Sequence, residues 1–128
     1  MAQFTLSKHE RLSSLKEIET LFTEGKSLVK FPIRLVWREI SDPGLIRTQV
    51  MFSVSKKKFS KAVDRNRIKR LMRESYRLLK PGFFLSLPAG RSFHLGFVYT
   101  GNEIIEFHAI QKSLSKALER LVTQIRQE

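Results

Sequence analysis

Helices packed on a largely antiparallel sheet in one α+β domain are what this chain predicts, for three reasons. Segments of helical period and of strand period succeed one another in the order α-β-β-α-β-α, with room for one more strand where Pro32 interrupts the first β segment. No repeat, low-complexity tract or long linker divides the 128 residues. The apolar content of 41%, with ten Phe, is too high for a disordered polycation and enough for a core.

The first element is a helix over 14–24. Ser14 and Glu17 have capping-box spacing, Leu15, Ile18, Leu21 and Phe22 share a face, and Gly25 is a natural stop. "LVKFPIRLVWREI" (28–40) is β-branched and aromatic, so it reads as strand, with Pro32 marking an edge, a bulge or a strand start. "SDPG" (41–44) is a turn and "IRTQVMFSV" (46–54) a further strand. Together 28–54 reads as a hairpin or, alternatively, as three short strands. A long helix follows over 58–80, ended by "KPG" at 80–82, with "FFLSLPAG" (83–90) as a connection. "RSFHLGFVYT" (91–100) is a strand with Phe93, Leu95, Phe97 and Tyr99 on one face. The last helix runs from about Ala109 to Gln127, with Ile110, Leu114, Ala117, Leu118, Leu121, Val122 and Ile125 as its apolar stripe. Residues 1–10 carry no element signal, and disorder is compatible with them.

Charge excludes several function classes. The chain holds 24 Lys+Arg against 12 Asp+Glu, a net charge of +12. Between Ser55 and Lys80 stand eleven basic residues and two acids, which is +9 of that total. Self-repulsion on this scale points to a polyanionic partner, and nucleic acid is the common one. There is no Cys, no run near the roughly 18 apolar residues of a membrane span, and no signal-peptide pattern in "MAQFTLSKHERL". A soluble cytoplasmic protein, without a membrane partner, is the expectation.

At 100° per residue, Ile68, Leu71, Met72, Ser75 and Leu79 form one side of the long helix. Asn66, Lys69, Arg70, Arg73 and Arg77 lie opposite, with Arg65 and Arg67 on the borders. A solvated face usually mixes signs. Here like charges recur at i and i+4 (Lys69/Arg73, Arg73/Arg77), which costs a few tenths of a kcal/mol per pair, roughly, unless an anion is present. Arginine forks suit phosphates and base edges, and Asn66 adds donor and acceptor capacity. Lys56, Lys57 and Lys58 extend the positive surface. A strand rather than a helix-turn-helix precedes this helix, which favours RNA over duplex DNA.

"FSVSKKKFSKAVDRNRIKRLMRE" (52–74) resembles the signature of the bacterial ribonuclease P protein family, in which a strand ending S-V-x-K-K leads into a helix bearing R-N-R-x-K-R. The matching residues are Ser53, Val54, Lys56, Lys57, Arg65, Asn66, Arg67, Lys69 and Arg70, with Arg73 at a further basic position. "ERLSSLKEIETLFTEGKS" (10–27) is similar to the family's opening helix, and 91–127 agrees in element order. Met51 departs from the glycine usual there. The resemblance implies an α-β sandwich with a left-handed βαβ crossover, against the usual hand. It implies a protein cofactor of a ribozyme, one protein per RNA, with the state of the free protein left open. The partners implied are ribonuclease P RNA and precursor tRNA; the RNA, with Mg²⁺, hydrolyses the phosphodiester that releases the 5′ leader. It further implies a leader cleft involving Ile18, Phe22, Arg34 and Val36, although Ile18 and Phe22 equally suit a core, and Val36 cannot stack on bases where the family has an aromatic. Trp37, on the other face, reads as core.

Two rival functions remain at this level. A ribosomal or other structural RNA-binding protein would share the electrostatics without a cleft. A protein nuclease would need converging carboxylates or histidines. His9, His94 and His108 are scattered, and Glu103 and Glu106 near His108 are the one loose group. No catalytic side chain and no metal ligand is therefore expected on this chain.

Overall fold

A computed structural model describes residues 8–41 and 48–127. Its elements are a 3-10 turn at Lys8–Glu10, then α1 (Leu15–Glu24), β1 (Lys26–Lys30), β2 (Ile33–Ile40), β3 (Thr48–Val54), α2 (Ala62–Ser86), β4 (Ser92–Tyr99) and α3 (Phe107–Gln127). The α+β class, the element order and the extra strand at Pro32 agree with expectation. A cis Phe31–Pro32 peptide lies between β1 and β2.

The sheet order is β1-β2-β4-β3. β1/β2 and β2/β4 are antiparallel, and β3/β4 are parallel with α2 as the crossover. The expected 28–54 hairpin is thus corrected. β1 and β2 form the hairpin, and β4 sits between β2 and β3. Local turn chemistry carries no information about this insertion, because the partner that separates the two strands comes about 50 residues later in the chain. The expected turn at 41–44 lies almost wholly outside the described residues.

One sheet face is dry. Leu28 of β1, Ile33, Leu35 and Trp37 of β2, Phe93, Leu95, Phe97 and Tyr99 of β4, and Val50, Phe52 and Val54 of β3 pack under α2 and α3. Trp37 is core, as its alternation requires. From α2 come Ile68, Met72, Tyr76 and Phe83, and from α3 the stripe Ile110 to Ile125. The Tyr76 ring lies 6.2 Å from Phe52 and 5.7 Å from Phe97. Burial drives the Tyr76 hydroxyl pKa far above its ordinary value.

Two boundaries differ from expectation. α2 begins at Ala62, after a turn over Lys56–Lys58. It also runs through Pro81 and Gly82 to Ser86. An internal proline costs about 3 kcal/mol. Against that stand burial of Phe83 in the core, worth about 1.5–3 kcal/mol, and Arg126 of α3, whose Nη2 donates to the Ser86 carbonyl at 2.9 Å. Lys80 is buried as well, its Nζ donating to both Glu10 carboxylate oxygens at 2.8 and 3.1 Å. That pair ties Lys8–Glu10 to α2, so the end of the 1–10 segment is ordered, while 1–7 lie outside the described residues.

The other sheet face carries α1. Ser14 caps it through the Glu17 amide, as the capping box predicts. Gly25 is its C-cap, and the position requires glycine because a Cβ there would collide with the backbone oxygens of Leu21 and Trp37. Leu12, Leu21 and Val36 form a small second core, with Ile18 and Met51 against it.

Two glycines separate open space from close packing. A Cβ on Gly82 meets nothing within 4 Å, whereas one on Gly96 meets Leu21 Cδ2 and Met51 Sδ at 3.2 Å and Phe22 Cζ at 3.3 Å. Urea unfolding should show Gly82→Ala stabilising by about 0.5–1 kcal/mol, as expected when a helix-interior glycine is relieved. Gly96→Ala should destabilise by about 1–3 kcal/mol through overpacking beneath α1.

Candidate nucleic-acid interface

Two surfaces carry the expected site residues, and the turn after β3 joins them. Ser55 Oγ accepts from the amides of Lys57 and Lys58 at 3.2 and 3.4 Å, and the Phe59 amide donates to the Ser55 carbonyl at 3.0 Å. Phe59 is buried, its ring 6.0 Å from that of Tyr99. Lys56 and Lys57 are left facing solvent. Lys58 reaches across, its Nζ donating to the Thr100 carbonyl at 2.7 Å.

On α2, Asn66, Arg70, Arg73 and Arg77 fall within about 60° of one another at 100° per residue. The buried seam lies on the opposite side. Asn66, Arg67 and Arg70 are exposed, and Lys69 and Arg73 half-buried. None of Arg67, Lys69, Arg70 and Arg73 has an ion-pair partner among the described residues. Two members are committed internally. Arg65 Nη1 donates to the carbonyls of Phe59 and Ser60, each at 2.9 Å, which braces the lysine turn. Arg77 forms a bidentate pair with Glu74, which lowers the Glu74 pKa and raises that of Arg77. The run of like charges expected from sequence is therefore relieved at its C-terminal end, where Glu74 stands about one turn back from Arg77. The buried face is also rotated from the expected one, since Tyr76, Lys80 and Phe83 join it while Leu71 and Leu79 are only half-buried.

The second surface is the α1 side of the sheet, and register orders it in rows. Arg38, His94 and Gln49 make one row, Val36, Gly96 and Met51 the next, and Arg34, Val98 and Ser53 the third. Glu17 of α1 covers the first row, its Oε2 3.7 Å from Arg38 Nη1 and 3.6 Å from His94 Nδ1. Leu21 and Phe22 cover the second, through the space that Gly96 leaves. Met51, the departure from the family glycine, sits in a regular strand directly opposite Gly96. The third row stays open, and Val29, the β1 neighbour of Arg34, is exposed. Of the four cleft candidates, Arg34 and Phe22 (38% exposed) face this opening, and Ile18 is half-buried. Val36 departs from expectation: at 2% exposed it lies in the small core with Leu21.

Among the described residues, no group of three or more His, Asp or Glu converges as metal ligands. The Tyr99 hydroxyl donates a hydrogen bond to the backbone carbonyl of Glu103, from the loose acidic group. No described helix is long and apolar enough to cross a membrane.

The model of the ribonuclease P family matches residues 6–122. The chain belongs to the ribonuclease P protein family. It is 38% identical to the ribonuclease P protein component of Porphyromonas gingivalis over 97% of this chain and 91% of that protein. It is 31% identical to that of Geotalea uraniireducens over 94% and 98%. The RNase P protein from Thermotoga maritima superposes with a TM-score of 0.69 at 25% identity, over 87% of this chain and 96% of that one. The Staphylococcus aureus RNase P protein, at 20% identity and a TM-score of 0.71, shares the fold. A ribonuclease P protein component is an RNA-binding subunit in tRNA processing, with ribonuclease P RNA as its partner, and that is the role of this chain.

His94 lies under Glu17 in the first row at 7% exposed, and its Nδ1 has no hydrogen-bond partner among the described residues. Burial holds its pKa below the ordinary 6.5, Glu17 opposes that and Arg38 reinforces it. The folded state therefore prefers neutral imidazole. This contribution is complete above pH 6.5 and is lost as pH falls through the lower folded-state value. Thermal unfolding of the wild type should lose stability between pH 7 and 5, and His94→Gln should flatten most of that slope.

Proposed function

We propose that this subunit contributes grip and register, and that the chemistry belongs to its RNA. The observation that supports this most is the set Arg67, Lys69, Arg70 and Arg73, without an acidic partner among the described residues and carried on a helix whose other side is a buried seam. These cations, with Lys56 and Lys57, would neutralise phosphates of the catalytic RNA, and Asn66 would add a neutral hydrogen-bonding group beside them. Arg65, Lys58 and Arg77 would act partly through the geometry they brace. The open row at Arg34, flanked by Phe22, would take the single-stranded 5′ leader of precursor tRNA, with one protein per RNA. Val36 would support this cleft from beneath, through Leu21, and Ile18 would do the same through the small core.

Mg²⁺ is expected to act with the RNA. Hard cations need several converging oxygens; among the described residues no three acidic or histidine side chains converge, and the outward face of α2 is cationic. No step of the reaction is assigned to a side chain of the protein. Positioning is its contribution, because holding a substrate strand in register replaces a costly search by a bound geometry.

Reconstitution with cognate ribonuclease P RNA and a precursor tRNA at low Mg²⁺ is the direct test. The protein should strongly stimulate 5′ cleavage, and protein alone should give none. Absence of stimulation at every salt concentration would reject the reading. A double change of Arg67 and Arg70 to Ala should weaken RNA binding and reduce the slope of log K against log salt by roughly one unit per lost phosphate contact, with the fold intact by circular dichroism.

A further inference from the structure

Helix α3 carries a second row of cations, outside the family motif. Lys112, Lys116 and Arg120 recur every fourth residue, about 6 Å apart along the axis, and all three are exposed. None has an acidic partner among the described residues. At 100° per residue, Lys112 and Lys116 fall roughly opposite the buried stripe of Ile110, Leu114, Leu121 and Ile125. They therefore point away from the sheet, as the α2 cations do. Glu119 lies apart from this row, since it lines the groove between the helices with Leu79 and Gly82 of α2.

The β1–β2 turn adds a flat ring to the row. Ser113 Oγ donates to the Phe31 carbonyl at 3.0 Å, which sets this turn beside α3 one turn before Lys116. The Thr100 amide holds it from the sheet, donating to the Pro32 carbonyl at 2.7 Å. Leu28 and Lys30 pair with Leu35 and Ile33, and directly paired residues share a sheet face. That face is the one under α2 and α3. Lys30 is half-buried there, again with no acidic partner among the described residues. Phe31 follows it at 73% exposed, and its ring rims a dent of about 280 Å³ whose walls include Pro32, Tyr99, Asn102 and Glu103. A flat exposed ring with cations along one side is the pattern that holds unpaired RNA, with a base on the ring and phosphates along the cations. The Glu103 carboxylate makes the dent unfit for a phosphate and leaves it to a base, for which the Asn102 amide offers both a donor and an acceptor.

We propose that Phe31, Lys30 and the α3 row of Lys112, Lys116 and Arg120 form a second foothold for ribonuclease P RNA, one that takes an unpaired segment of it. The side of the molecule decides the occupant. α2 and α3 pack against each other on one sheet face, with helix axes roughly 10 Å apart, so one RNA can lie across both cation rows. The cleft proposed for the leader opens on the opposite sheet face, beside α1. The proposal rests on the reading of the α2 cations as the RNA surface and is independent of the leader reading.

Binding of the full chain to ribonuclease P RNA, measured across salt concentrations, is the test. Changing Lys112, Lys116 and Arg120 together to Gln should weaken binding and lower the salt slope by roughly 0.7 unit per lost contact, the single-strand value. Phe31→Ala should weaken binding about five-fold or more with the slope unchanged, the range of one lost base–aromatic stack. Phe31→Trp should keep wild-type affinity and Phe31→Leu should not, because stacking needs a flat face rather than apolar bulk. Chemical probing should find an unpaired stretch of the RNA protected by the wild type and exposed with Phe31→Ala. The changed side chains are exposed, so circular dichroism should stay that of the wild type. Wild-type affinity in either Phe31→Ala or the triple variant would overturn the proposal. So would protection confined to duplex RNA, or a loss seen only for precursor tRNA on the reconstituted holoenzyme, which would assign the patch to the substrate. The double change of Arg67 and Arg70 to Ala, run alongside, separates the two readings: a loss there with none in the α3 and Phe31 variants overturns this foothold and leaves the α2 surface standing.

Discussion

Helix α2 presents cations on one side because Ile68, Met72, Tyr76 and Phe83 are held on the other. The rest of the structure follows from that anchorage. Isolated, a helix bearing Lys69/Arg73 and Arg73/Arg77 at i,i+4 would repel itself, and little in its own propensity would fix which side faces outward. Burial of the four apolar side chains at about 1.5–3 kcal/mol each greatly exceeds that repulsion, and it sets the rotation of the helix about its axis. Arg70 and Asn66 then face solvent as a consequence. The same seam carries the crossover between parallel β3 and β4, so the strand pair and the basic surface are positioned by one set of contacts.

The two sheet faces divide structure from access. Under α2 and α3 every row is filled, and α1 covers only part of the opposite face. Gly96 decides how far that cover extends. By omitting a side chain in the middle row it lets Leu21 and Phe22 come down onto the strand, and the row beyond, with Arg34 and Ser53, is left uncovered. A charged row under Glu17, a packed row under Leu21 and an open row beside Phe22 therefore lie side by side, about 6–7 Å apart along the strands.

Period and capping made α1, β4 and α3 legible within a few residues, because each is read from its own segment. The signal for the basic helix and its outward arginines was equally local. What sequence missed depends on distant partners. Lys80 looked like one more surface cation, and only Glu10, 70 residues away, makes its burial tolerable. Arg65 looked like a phosphate ligand, and only the fold shows the two carbonyls it serves. Val36 shares a strand face with Arg34, which alternation revealed, but whether that face is open at Val36 depends on where Leu21 lands. The β2–β3 hairpin failed for the same reason, since β4 intervenes from much later in the chain. Pro81 was a fair stop signal, outweighed here by Phe83 and by the tie from Arg126.

The segment from Ser53 to Arg65 links the two proposed RNA surfaces, and its rigidity has a physical consequence. Ser53 belongs to the open row of the cleft, and the α2 stripe begins at Asn66. A flexible connection would let the surfaces drift and would charge the ordering entropy, about 1–2 kcal/mol per residue, to each binding event. Instead Phe59 is buried as an anchor, Ser55 closes the lysine turn, Lys58 is bound to Thr100 and Arg65 holds the carbonyls of Phe59 and Ser60. Ser55, Lys58 and Arg65 are thus spent, at least in part, on making the connection stiff. For a subunit proposed to hold a leader strand in register with a catalytic RNA, a fixed spacing between surfaces is as necessary as the charge on either one. The R-N-R motif accordingly divides its labour: Arg65 faces back to brace the turn, while Asn66 and Arg67 face out.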